Sequence, residues 1–136
     1  MRARVLTCLL AALLAMALLA AVAGAAGKST TYSGKTAQNK PIKIKGTPTS
    51  LSLQSFQIRL LCHDGSLLFA NLSGFDPTPL KGGRFADTQY GKTDVVSWSG
   101  TVRSGKVAGR VEVENKLKSG MNCVSGPVKF KAKAGG

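Results

Sequence analysis

Residues 94–115, DVVSWSGTVRSGKVAGRVEVEN, constrain the fold more than any other stretch of the chain. Val96, Trp98, Gly100 and Val102 recur at period two, with Ser97, Ser99, Thr101 and Arg103 between them. After Ser104-Gly105 the alternation resumes, Val107, Gly109, Val111 and Val113 against Ala108, Arg110, Glu112 and Glu114. Successive side chains of a strand point to opposite faces, so each run has one apolar and one polar face. The Gly-containing dipeptide between them reads as a tight turn, and the two runs as a β-hairpin. A lone hairpin is not stable in water, so other strands must cover the face that carries Trp98.

Candidates for those strands occur along the rest of the chain. Lys28–Thr36 is polar and reads as a short edge strand centred on Tyr32. In 41–45, Pro41 suits a strand's first position, and Ile42 and Ile44 alternate with Lys43 and Lys45. Leu51–Cys62 is the longest run, but its apolar parity switches between Leu53 and Phe56. A one-residue slip turns every later side chain to the other face, so a β-bulge is expected near Gln54-Ser55. His63-Asp64-Gly65-Ser66 is a turn, followed by strands at 67–75 and 85–90. The last strand is expected over 123–132, with Val124, Gly126, Val128, Phe130 and Ala132 on one face and Lys129, Lys131 and Lys133 on the other. About eight strands without helical periodicity predict an all-β fold. An antiparallel β-sandwich with one disulfide is the favoured architecture, and a small closed β-barrel is the alternative.

The first 26 residues stand apart. Arg2 and Arg4 precede an uncharged Leu/Ala-rich run, and Ala21-Val22-Ala23 and Ala23-Gly24-Ala25 both fit an A-x-A cleavage pattern. This reads as a secretory signal peptide, leaving one secreted domain over 27–136 without a transmembrane segment. The rival reading is an uncleaved membrane anchor. With Cys8 removed, Cys62 and Cys123 remain. An even count in an oxidising compartment predicts one disulfide between them, and they are too few for a structural zinc site. Residues 27–29, Gly-Lys-Ser, lack the upstream Gly of a phosphate-binding loop, since position 22 is Val22.

The mature region resembles a loosely defined group of exported bacterial β proteins without an assigned activity. The resemblance rests on Tyr32-Ser33-Gly34-Lys35-Thr36 before the IKIK strand, Cys62 ending a long strand, and Gly83-Arg84-Phe85. The hairpin at Val107-Ala108-Gly109-Arg110-Val111 and Cys123-Val124-Ser125-Gly126 before a Lys-alternating strand complete it. It implies a secreted β-sandwich with a Cys62–Cys123 bridge and carries no catalytic residues across.

Charge supplies the best functional lead. The formal net charge of +13 falls to about +11 once Arg2 and Arg4 are removed, which favours anionic surfaces and polymers. If the strand of Lys43 and Lys45 pairs with that of Lys129, Lys131 and Lys133, five ammonium groups share one face. Such a face would hold phosphate or carboxylate polymers of the cell envelope. The alternative is a solvated face whose edge lysines discourage aggregation. Nucleic-acid readers interleave aromatics with basic residues, and here only the inward Phe130 interleaves, which disfavours nucleic acid. His63 beside Asp64 could serve a small hydrolase only if Ser66 or Ser125 came near it, and no nucleophile motif surrounds either serine. Glu112 and Glu114 share one strand face, a spacing open to a carboxylate pair or to a solvated sheet surface. Phe85, Tyr90 and Trp98 suit core packing better than a ligand platform. Asn71-Leu72-Ser73 is a formal glycosylation sequon. No catalytic residue, metal site or cofactor is expected. The third reading is a protein-binding inhibitor or adhesion domain, marked by an exposed apolar patch.

Overall fold

The structure, a computed structural model, describes residues 28–135. The signal peptide expected over residues 1–26 lies outside them. Strands and turns, without a helix, make up the described residues. The strands are β1 (Thr30–Thr36), β2 (Pro41–Gly46), β3 (Ser50–Cys62), β4 (Leu67–Ser73), β5 (Thr78–Pro79), β6 (Arg84–Tyr90), β7 (Asp94–Arg103), β8 (Lys106–Lys116), β9 (Asn122–Val124) and β10 (Val128–Ala134). The neighbour order is β10-β1-β2-β3-β9-β8, and β8 returns to β10. Six strands therefore close into a barrel. β7 and β6 continue from the far edge of β8, while β4 and β5 lie along the far edge of β3. The all-β expectation is met, and the closed barrel, rather than the favoured open sandwich, is the architecture.

Closure depends on two long strands that each serve two partners on one edge. β3 pairs with β2 over Leu51–Phe56 and with β9 at Leu61 and Cys62. β8 pairs with β10 over Lys106–Val111 and with β9 over Glu114–Lys116. The gap on each strand is filled by a side chain. Gln38 Nε2 donates to the Arg59 carbonyl at 3.0 Å, and its Oε1 accepts from the Arg59 N–H at 2.7 Å. The Val113 N–H donates to Ser125 Oγ at 2.9 Å, and the Ser125 N–H to the Val113 carbonyl at 2.9 Å. Backbone groups that lack a strand partner are thereby satisfied. Cys62 lies directly opposite Cys123 and is bonded to it. The disulfide joins neighbouring strands of one wall. It clasps the β3–β9 seam and does not staple facing sheets, as a sandwich would require.

Local features follow the sequence closely in places. Ser104 and Gly105 both have positive φ (50° and 71°), as a type I′ turn requires, and Arg103 faces Lys106 across it. The β2–β3 register passes from Lys43–Ser55 to Ile44–Leu53, so Gln54 is the extra residue of the expected bulge. Leu51, Leu53 and Phe56 can then all be buried. Gly100 and Gly109 face each other across β7–β8, and a Cβ on either would fall 2.2 or 2.0 Å from the opposite strand's carbonyl oxygen. Phe85 and Phe130 are the partners of these two glycines on the neighbouring strands β6 and β10.

Two expectations are corrected. β1 is not an edge, since it lies between β2 and β10 and buries Tyr32 and Thr36. The single final strand is two, β9 and β10. Gly126 adopts φ 62° and Pro127 has no N–H to give a ladder, so the chain turns at 125–127 and its parity resets. Val124 is consequently outward while Val128, Phe130 and Ala132 are buried.

One core of Ile42, Ile44, Leu51, Leu53, Ile58, Leu60, Val107, Val111 and Val113 fills the barrel. Beside it, Phe85 packs on Trp98 with ring centroids 4.6 Å apart. Trp98 Nε1 donates to the fully buried Thr78 Oγ1 at 3.0 Å, and Thr78 donates to Asp87 Oδ2 at 2.9 Å. Gln89 Nε2 donates to Asp87 and to the Asp76 carbonyl, and Gln89 Oε1 accepts from the Asp76 N–H, each at 2.9 Å. This chain of bonds ties the 76–78 segment to β6 and β7.

Candidate anion-binding surface

The burial of every second residue in β1, β2, β8 and β10 dictates where their remaining side chains go. Inward residues are aliphatic or aromatic, and the outward ones include most of the protein's clustered cations. β2 and β10 are not paired, contrary to the simplest expectation, because β1 lies between them. The five predicted lysines, Lys43, Lys45, Lys129, Lys131 and Lys133, are nonetheless all exposed on the outer face. β1 adds Lys35, and β8 adds Lys106 and Arg110.

Register sets these residues in cross-strand rows. One row runs Arg103, Lys106, Lys133, Ser33, Lys43 and Ser55 from β7 to β3. The next runs Thr101, Ala108, Lys131, Lys35 and Pro41. A third contains Ser99, Arg110 and Lys129. Strand spacing puts the Cα atoms of opposed residues about 5 Å apart, and alternate residues of one strand about 6.7 Å apart. Lys35–Lys131, Lys106–Lys133, Lys129–Arg110 and Arg103–Lys106 are thus like charges placed directly opposite each other. Such pairs are destabilising. None of the six acids is the cross-strand partner of any of these cations. Glu112, the next outward residue beyond Arg110 on β8, faces Ser97.

The remaining candidates are dispersed. His63 is exposed in the β3–β4 turn, and its N–H donates to the Asn122 carbonyl at 3.0 Å. Ser66 donates to Asp64 Oδ1 through both its N–H, at 2.9 Å, and its hydroxyl, at 2.6 Å. These bonds, from the hydroxyl first and then the amide, hold the Asp64 carboxyl below its ordinary value. Ser125 donates to the Gly126 carbonyl and accepts from Val113. Both serines considered for a hydrolase are therefore engaged in turn and seam structure. Glu112 and Glu114 are exposed on β8, and no group of three His, Cys, Asp or Glu suited to a metal ion occurs among the described residues. Phe85 and Trp98 are buried, whereas Tyr90 is exposed, so the three form no platform. Asn71 is exposed on β4.

Comparison with protein-family profiles, with curated proteins and with solved structures gives no match. The resemblance to exported bacterial β proteins stands on the quoted residues alone. The sequence reading missed Lys35, Lys106 and Arg110 as members of the cationic surface. Their outward parity was legible in the alternation, but their neighbours depend on strand order, which is a long-range property.

Proposed function

We propose that the protein is an extracytoplasmic, non-catalytic module that holds an anionic envelope polymer, of phosphodiester or carboxylate repeat, against this cationic wall. The observation that carries the reading is the opposition of like charges in register. Each such pair opposes folding by about 0.5 kcal/mol, which a surface serving only solubility could avoid by interspersing acids. A bound polyanion neutralises the pairs and releases its own counterions. The aromatic residues that lie among these strands, Tyr32 and Phe130, are buried, so bases have nothing to stack on and a non-aromatic polymer fits better than nucleic acid. The Cys62–Cys123 disulfide is compatible with an oxidising, extracytoplasmic setting. No described helix is long and apolar enough to cross a membrane.

The test compares two variants of equal net charge. One carries Lys35→Gln, Lys131→Gln and Lys133→Gln in the wall, and the other Lys81→Gln, Lys92→Gln and Lys118→Gln, which are exposed elsewhere. Affinity for immobilised polyphosphate is expected to fall about tenfold or more in the first and far less in the second. Equal losses in both would reduce the wall to a share of the overall charge and defeat the proposal.

A further inference from the structure

β6, β7 and β8 run side by side next to the cationic wall, and their outer residues border an open groove of about 630 Å³. Two cross-strand rows cross it, Thr88, Ser97 and Glu112 in one and Ala86, Ser99 and Arg110 in the other. Alanine and serine are short, so the surface dips along β7 beside the longer side chains of Arg110 and Glu112, and Pro127 also borders it. The second row continues to Lys129 on β10. The groove therefore shares Arg110 with the wall.

Most polar groups of this groove are free to bind a ligand. The Thr88 and Ser97 hydroxyls lie 2.9 Å apart and bond to each other. The side chains of Ser99, Arg110 and Glu112 make no hydrogen bond or ion pair with other described residues. Arg110 and Glu112 are alternate residues of one strand, with Cα atoms about 6.7 Å apart, yet they do not pair. Asp87 also borders the groove, but its carboxylate accepts from Thr78, Gln89 and the Thr88 N–H. Glu112 faces Ser97 and not a lysine, so it relieves none of the like-charge pairs of the wall. A polymer charged at every step would set an anion against Glu112. A carboxylate accepts hydrogen bonds from hydroxyl groups, and such charge-assisted bonds are stronger than neutral ones. Serine and threonine hydroxyls both donate and accept, which suits a hydroxylated ligand. An ammonium group would also satisfy Glu112, but Arg110 and Lys129 in the next row repel it.

We infer that this groove holds the hydroxyl-bearing unit of a polymer whose units are joined by phosphodiesters. The inference rests on the proposed role of the wall and narrows its ligand. The phosphodiester lies over Arg110 and Lys129, which face each other across β8 and β10 and offer one cationic head to each of its two free oxygens. The neutral unit lies on Glu112, Ser97 and Ser99. Adjacent rows are about 6.7 Å apart, so the two contacts fall on successive parts of one chain. Polyphosphate engages the wall but has no hydroxylated unit to give the groove.

Calorimetry of the full mature chain with three synthetic phosphodiester oligomers of equal length tests this. Propanediol phosphate has no free hydroxyl, glycerol phosphate has one in each repeat, and hexose phosphate has several. At least one hydroxylated oligomer is expected to bind about tenfold tighter than the propanediol oligomer, and which one does so tells a polyol from a sugar. Glu112→Ala and Ser99→Ala, both at exposed positions, are each expected to cut that preference by about threefold to tenfold. Glu112→Ala should at the same time strengthen binding of the propanediol oligomer, because it removes a repelling charge. Ser55→Ala, an exposed hydroxyl on β3, should leave the preference intact. The Lys35, Lys131 and Lys133 glutamine variant should weaken all three oligomers alike. Failure of the wall thus shows as loss of propanediol phosphate binding in the unaltered chain, and failure of the groove as absence of preference. Equal affinity for hydroxylated and hydroxyl-free oligomers would overturn the inference, as would a preference that survives both Glu112→Ala and Ser99→Ala.

Discussion

The outer surface of this barrel has two opposed characters over a single kind of core. On β8, β10, β1 and β2 the outward positions oppose cation to cation. On β9, β3 and β4 they carry Val124, Leu61, Leu67 and Phe69 with much of their area in water, beside Arg59, which faces Phe69, and Lys40, whose ammonium lies over the Phe69 ring. Beneath both lie the same alternating aliphatics. The inner face is what folding requires, because burial of apolar area is the main favourable term. Neither outer face is what folding alone would choose. One accepts repulsion that interspersed acids would relieve, and the other leaves large apolar side chains in water. Departures from local consistency of this kind are expected where a surface does something besides fold.

The comparison can be broken hardest at the seam. β9 is held to β3 by the short ladder at Leu61 and Cys62, the His63 N–H bond to the Asn122 carbonyl and the disulfide. The closed loop spans 61 residues, so replacing both cysteines by serine is expected to destabilise the protein by about 4 kcal/mol in denaturant unfolding. Amide exchange should then rise first in β9, on the apolar side, while β1, β2 and β10 keep their protection.

The cationic side has its own weak point. Gly109→Ala drives a methyl into the Ser99 carbonyl oxygen, 2.0 Å from the ideal Cβ position. A loss of about 3 kcal/mol is expected, with Arg110 displaced from its row. Unfolding curves and polyphosphate affinity should fall together.

A milder change sharpens the contrast. Lys131→Glu converts the Lys35–Lys131 opposition into an ion pair. It is expected to stabilise the fold by about 0.5 kcal/mol and at the same time weaken polyphosphate binding. Improved stability with unaltered binding would mean that the wall is not the binding surface.

The smallest effect is at the hairpin turn that leads into β4. The Asp64 carboxyl is held below 3.8 by Ser66. A depressed folded value means that the stabilising contribution is present above pH 3.8 and is lost as the pH falls through the folded value. Titration by NMR should show the Ser66 amide losing protection on acidification, with β1 and β10 unchanged.

Much of this fold is legible in the sequence because alternation records the direction of burial. The Ser104-Gly105 turn, the pairing of Val96–Val102 with Val107–Val113 and the extra residue at Gln54 all follow from parity and turn chemistry. The break at Ser125-Gly126-Pro127 was hidden because apolar residues continue at even positions across it, so a strand pattern spans a turn. Barrel closure was hidden for another reason. It depends on one edge of β8 serving β10 with its first half and β9 with its second, and nothing in the local sequence of β8 says which partner arrives where. The same gap separates the candidate residues from the site. Each lysine's outward direction could be read, but the insertion of β1 and Lys35 between β2 and β10 belongs to topology.

The claim on which the functional account rests is that the opposed lysines hold a polyanion. Affinity for polyphosphate measured across a series of salt concentrations tests it most directly. The account predicts a linear fall of log affinity with log salt, with a slope reduced by about 2 to 3 units when Lys35, Lys131 and Lys133 become glutamine. An affinity that ignores ionic strength, or a slope that survives loss of those three charges, would contradict it.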